Sequence, residues 1–283
     1  MGKYEIMGNC QKQHFERPAV WSRTSLVVPQ EKARIKETLR NIPSDVRSIL
    51  DVGCGNGLFV NTLSRTSFDT VSRITGLDSS AEALKYVETE KTEGSIAHLC
   101  YEDNSFDMVA CLEVLEHLRE DEFERGISEL QRVSRQYILV TVPNDQDLLN
   151  SLVTCTKCYC RFNPCYHLRS FNKGSLENLF SDFRPVVVKE IGPPTKKRYY
   201  NHVLISFYQS LKTPILREGT ICPQCGYEQK KEREHCLKQR RSGSGSPVIL
   251  ALSRGLARAI TRVSNKRRWL LALYEKVSRA DTP

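Results

Sequence analysis

The sequence predicts an α/β fold, a mostly parallel β-sheet with helices on both faces. Three observations predict it. Short apolar runs alternate with helical patterns between residues 47 and 142, the signature of parallel strands joined by crossover helices. The first run feeds a glycine-rich turn, Gly53-Cys54-Gly55-Asn56-Gly57. The second ends on Asp78, where open α/β sheets place an acidic side chain for ribose hydroxyls.

Residues 30–41 have helical composition and stop at Pro43. Residues 47–52 read as a buried strand and 58–65 as the helix after the turn. Residues 74–77 form the second strand, and Ser79 and Ser80 precede a helix expected over 81–87. A third short strand is expected near 96–99, a fourth over 106–112, a helix over about 120–134 and a fifth strand over 137–142. A helix is expected at 174–180, then strands at 185–191 and 202–207, joined by a loop holding Pro193-Pro194 and Lys196-Lys197-Arg198. The spacing of Ile249, Leu252, Leu256, Ile260, Val263, Leu270, Tyr274 and Val277 predicts a basic amphipathic helix over 247–280. The expected organisation is a cap segment over 1–45 and a central domain over 46–210 with a Cys-rich insertion at 151–171. A second Cys pair and basic linker follow over 211–241, and then the helix.

Composition narrows the class. Of 283 residues, 40% are apolar and 27% charged, as in soluble globular proteins. No apolar run approaches the ~20 residues of a membrane span. The start, MGKYEIMGNCQKQHFER, carries no apolar core of a secretory signal, so a reducing, cytoplasmic setting is expected. The net charge of +9 is uneven: residues 1–227 hold 28 basic and 28 acidic side chains, and 228–283 hold 14 and 5. The charged tail suits packing or self-association first, then an anionic membrane surface, and nucleic acid least.

The glycines of the turn permit close backbone approach to a ligand. Backbone N–H groups at a helix start suit an anionic group, and Asp51 before the turn suits a cationic one. A dinucleotide site would want a third glycine where Leu58 stands. Asp51-Val52-Gly53-Cys54-Gly55-Asn56-Gly57 instead resembles motif I of the class I S-adenosylmethionine (SAM) methyltransferases. Residues 74–80, Ile-Thr-Gly-Leu-Asp-Ser-Ser, resemble their second motif. Residues 99–109 resemble the L-P-F-x-D-x-S-F-D-x-V stretch, with Cys100 in place of Pro. Residues 111–118, Cys-Leu-Glu-Val-Leu-Glu-His-Leu, match E-V-L-E-H-L. The likeness covers roughly residues 45–145 and points to the broad branch that includes quinone-biosynthesis enzymes.

That resemblance implies a Rossmann-like, mostly parallel seven-stranded sheet and SAM as cofactor. Asp51 and residues Gly53, Cys54, Gly55, Asn56 and Gly57 would hold its methionyl part, with Glu113 beside them. Asp78 and Ser79 would meet the ribose. Ser95 stands where an acidic residue is common, so backbone contacts at Ser95 and Ile96 would meet the adenine. His117 is a candidate general base, and His167, in an H-x-R-x-F segment similar to the substrate-side cover of related enzymes, is a second. The implied reaction is methyl transfer, with oxygen of a small molecule, glycan or lipid-linked intermediate as acceptor. RNA or protein methylation, a dinucleotide-dependent oxidoreductase and a non-catalytic scaffold stay open as alternatives.

Seven of eleven Cys lie between 155 and 236. Cys155-x-x-Cys158 and Cys222-x-x-Cys225 together supply four thiolates for a closed, structural zinc site. A site confined to 155–165 is the alternative.

Overall fold

The computed structural model describes residues 14–22, 29–66, 70–149, 151–199, 220–228 and 262–277. Seven strands form one sheet: β1 (Ser48–Val52), β2 (Arg73–Asp78), β3 (Glu90–Glu93), β4 (Phe106–Leu112), β5 (Ser134–Pro143), β8 (Phe183–Tyr199) and β9 (Arg262–Lys276). β6 (Val153–Thr154) and β7 (Arg161–Phe162) make a separate two-stranded ribbon. The sheet order is β3-β2-β1-β4-β5-β9-β8. β1 through β5 pair in parallel, and β9 runs antiparallel to β5. The order reverses between β1 and β4, so the carboxyl ends of these two strands flank a crevice.

Both faces of the sheet are buried, which is why its central strands read as unbroken apolar runs. Leu50, Val109 and Val140 pack into one core, and Ile49, Met108 and Leu139 into the other. The helices are α1 (Pro18–Ser22), α2 (Pro29–Leu39), α3 (Leu58–Arg65), α4 (Ala81–Leu84), α5 (Glu120–Val133) and α6 (Lys173–Glu177). α5 buries Gly126, Leu130 and Val133 on one side, and its acidic start and Arg132 near its end suit the helix dipole. Ser80 caps α4 by accepting the Ala83 N–H at 3.1 Å.

The tail differs most from expectation. Residues 262–276 are strand, not the helix expected over 247–280; residues 247–261 lie outside the described set. The helical stripe used Leu270 and Tyr274 but passed over Trp269, Leu271, Ala272 and Leu273, all of which are buried. A six-residue apolar run buried on both sides fits strand and helix alike until a partner decides, and here β5 is that partner. The loop expected after 191 is instead part of β8. Pro193 and Pro194 are tolerated because β8 is an edge strand. The strand expected at 202–207 lies outside the described residues. The third strand is Glu90–Glu93 rather than 96–99; at the opposite edge it is mostly exposed and needs no apolar pattern, while Ile96, Ala97 and Leu99 are buried in a loop. α4 ends at Leu84, short of 87.

Packing divides the chain into two units. One comprises Phe15–Gln146, Leu168–Thr195 and Lys266–Pro283; the other comprises Met1–His14, Asp147–His167 and Lys196–Asn265. No described helix is long and apolar enough to cross a membrane.

Candidate functional site

β1 delivers Asp51 to the carboxyl edge of the sheet, and the chain then turns sharply. Gly53 and Gly55 adopt φ of +76° and +54°, left-handed values that L side chains resist. The space is also taken. A Cβ on Gly53 would lie 2.3 Å from Val114 Cγ2, and one on Gly55 would lie 3.0 Å from the Trp21 ring. Gly53 and Cys54 donate their N–H groups to the Leu77 carbonyl at 2.7 and 3.0 Å, which ties the turn to β2. Asn56 is buried, and Gly57 is the N-cap of α3.

Asp78 closes the turn from the other side. Its Oδ2 accepts the Gly55 N–H and its Oδ1 the Ser80 N–H, both at 2.8 Å, while burial raises its pKa. With Ser79 as a third backbone donor, the carboxylate keeps acceptor capacity for a hydroxyl. Gly94 N–H donates to the Asp78 carbonyl at 3.0 Å, so the loop holding Ser95 and Ile96 starts beside the same strand end. Ser95 Oγ accepts the Ala97 N–H at 3.2 Å, and Ile96 is buried.

The carboxyl end of β4 adds two acids. Glu113 has φ of +61°, a strain of about 1–3 kcal/mol for a non-glycine residue, and its N–H donates to the Thr141 carbonyl at 2.8 Å. Its Oε2 accepts the Trp269 indole N–H at 2.7 Å. Glu116 is 1% exposed. Asp51 Oδ1, Glu113 Oε1 and both Glu116 oxygens are buried without a hydrogen-bond partner among the described residues. Burial drives the pKa of Asp51 and of Glu113 to about 7, against the lowering effect of the Arg34 guanidinium. Glu116 is raised well above the carboxylate range by burial and then by Glu113. Arg34, on α2, is itself buried; it donates to Glu31 at 2.9 Å and to Thr141 Oγ1 at 3.1 Å. Orphaned, buried carboxyl oxygens beside a glycine turn suit a ligand that carries positive charge.

His117 ends the short turn Leu115–His117, and its ring meets Phe15 edge-on at 5.8 Å between centroids. Phe15 also packs against Trp21 at 6.0 Å, and its carbonyl accepts from Ser80 Oγ at 2.9 Å. The segment 15–22 therefore runs over the turn and over His117.

A methyltransferase domain model matches residues 50–137. Residues 50–137 are a class I SAM-dependent methyltransferase domain. An uncharacterized protein of Methanocaldococcus jannaschii is 28% identical over 153 residues, covering 52% of this chain and 63% of that protein. The ubiquinone biosynthesis O-methyltransferase of Albidiferax ferrireducens is 30% identical over 83 residues, covering 25% of this chain and 31% of that protein. The chain thus spans about two thirds and one third of these relatives. A chain from the complex of the Haloferax volcanii Trm112 methyltransferase activator with a methyltransferase shares the fold, with a TM-score of 0.50 and 14% identity over 88% of this chain and 91% of that one.

The methyltransferase domain brings Asp51, the 53–57 turn, Asp78, Glu113 and His117 to one edge of its sheet. Arg34, Trp21 and Trp269 are there too and were invisible to motif reading. They come from segments that flank the domain, and no local pattern marks them.

The second unit holds the two Cys-x-x-Cys pairs. The Sγ atoms of Cys155, Cys158, Cys222 and Cys225 all lie within 4.8 Å of one another. Cys155–Cys225 is 3.8 Å and Cys158–Cys222 is 3.5 Å. Four sulfurs around zinc at ~2.3 Å would be about 3.8 Å apart. The two pairs are built alike. Cys155 lies beside the β6–β7 ribbon and Cys222 beside a bridge between Ile221 and Glu228. The residue after each second Cys, Tyr159 or Gly226, has left-handed φ of +60° or +67°. Lys157 N–H points to Cys155 Sγ and Gln224 N–H to Cys222 Sγ, both at 3.4 Å. Cys160 is a fifth thiol, 3.1 Å from Cys222 Sγ. His167 belongs to this unit, and burial lowers its pKa to about 4, which leaves it a weak proton acceptor at neutral pH.

Proposed function

We propose that the chain transfers the methyl group of SAM to an oxygen of a small molecule, glycan or lipid-linked acceptor. The observation that carries the cofactor half is the pairing of a three-glycine turn with buried carboxyl oxygens that have no partner among the described residues. Bound SAM supplies an electrophilic methyl on a cationic sulfonium. Asp51 and Glu113 would face its cationic groups, the 53–57 turn its methionyl tail, Asp78 and Ser79 its ribose, and Ser95 and Ile96 its adenine. The covering segment 15–22 would exclude water, which strengthens every charge interaction beneath it. His117, beside Phe15, would accept the acceptor's proton. The oxygen acceptor draws support from the likeness to an O-methyltransferase, although that likeness covers only 83 residues.

The four clustered thiols suit zinc in a closed, structural role. Among the described residues the core beneath them contains Cys155, Phe162, Tyr166 and Cys222, a small apolar cluster to which a metal would add a staple. Calorimetric titration with SAM and with NAD tests the cofactor: SAM binding with no NAD binding is expected, and the absence of SAM binding sinks the reading.

A further inference from the structure

The strand β9 contributes one polar group to the buried acidic cluster, the indole N–H of Trp269. We infer that Trp269 is a positioning residue for cofactor binding: its indole N–H holds one oxygen of Glu113 so that the other is presented to the cationic part of SAM. The inference rests on the SAM reading above and extends it to a residue outside the matched domain.

The geometry is tightly determined. Trp269 is 2% exposed and lies opposite Pro143 of β5. One side of its ring meets the backbone of Gly192, where a Cβ would come within 2.4 Å of Trp269 Cε3. The Arg34 guanidinium sits over the ring at 5.8 Å from its centroid. Arg34 is fixed in turn by Thr141, whose carbonyl receives the Glu113 N–H. The indole therefore has no free rotation, and the backbone of Glu113 is anchored to the strand that pairs with β9. A carboxylate with one oxygen held and one free is oriented before a ligand arrives, and pre-orientation reduces what binding must order. A purely structural tryptophan would need only an apolar slot. This one aims its single donor at a strained residue at the mouth of the glycine turn.

The charged groups near Glu113 are Arg34, Glu31 and Glu116. Of these Arg34 favours its ionised form, and the indole N–H acts in the same direction. Trp269→Phe keeps an aromatic ring, smaller than the indole, and removes the donor. SAM binding by calorimetry should weaken at least about tenfold, the low end for one hydrogen bond to a charged group, with KM for SAM rising and kcat nearly unchanged. Trp269→Phe added to Glu113→Ala should cost little more than Glu113→Ala alone, because either change removes the same pair.

Two tryptophans give two indole N–H resonances. That of Trp269 should move with pH around 7 and again on SAM addition, and should be flat with pH in Glu113→Gln. If Trp269→Phe binds SAM as the parent does, or the resonance ignores both pH and SAM in the unaltered protein, the inference is wrong. If the unaltered protein binds no SAM at all, the cofactor reading fails with it. The resonance needs no variant, so the inference stays open to refutation even if Trp269→Phe does not fold.

Discussion

Val114 occupies the space into which a side chain on Gly53 would project, 2.3 Å from the position of its Cβ. The residue after Glu113 thus packs directly on the residue that starts the turn, so the ends of β1 and β4 fix each other. Gly53→Ala meets both this clash and the left-handed φ of +76°. We expect a loss of about 2 kcal/mol or more in stability and at least a tenfold loss in SAM affinity. Adding Val114→Ala should recover only the part due to the clash. Complete recovery, measured by thermal unfolding, would show that backbone conformation contributes nothing.

The buried acids make stability and affinity respond oppositely to pH. Burial raises Asp51 from its ordinary 3.8 to about 7, so the folded state holds a proton that the unfolded state has lost. Stability from this group is complete below about pH 4 and is lost as pH rises to about 7. Without ligand, the melting temperature should fall between pH 4 and 7, and Asp51→Asn should flatten part of the fall. SAM binding should tighten over the same range as the carboxyls ionise. A melting curve that rises monotonically across it contradicts the burial of these groups.

Cys222→Ser removes one of four thiolates. Metal analysis should show loss of about one equivalent of zinc, and amide exchange should rise in residues 151–167 and 220–228. Unchanged metal content refutes the shared site and favours ligands drawn from 155–165 alone.

Gly192 has φ of +80°, and a Cβ there would strike the Trp269 ring at 2.4 Å. Gly192→Ala should destabilise the methyltransferase unit by several kcal/mol and weaken SAM binding through the displaced indole. A variant with parental stability would mean that β8 and β9 can separate without consequence for the site.

Much of the methyltransferase unit was legible in the sequence. The turn at 53–57, Asp78 at the end of β2 and the acidic end of β4 were visible because parallel strands buried on both faces leave continuous apolar runs, each ended by a turn. The pairing of Cys155-x-x-Cys158 with Cys222-x-x-Cys225 was legible because each pair needs the chemistry of the other. The strands β3 and β9 were not read correctly, and β8 was read only over 185–191. Edge strands carry weak patterns, and an apolar run such as 269–274 takes its conformation from its neighbour.

The sequence by itself determined the chemistry available: the glycines, the acids and the thiols, each at a spacing that only certain ligands require. Tertiary structure alone decided that Arg34 and Trp269, 235 positions apart by their numbers, converge on Glu113. The physical reason is that burial and orientation are properties of the assembled sheet. An indole N–H becomes a fixed donor, and a carboxyl becomes an orphan with a raised pKa, only when distant segments exclude water around it.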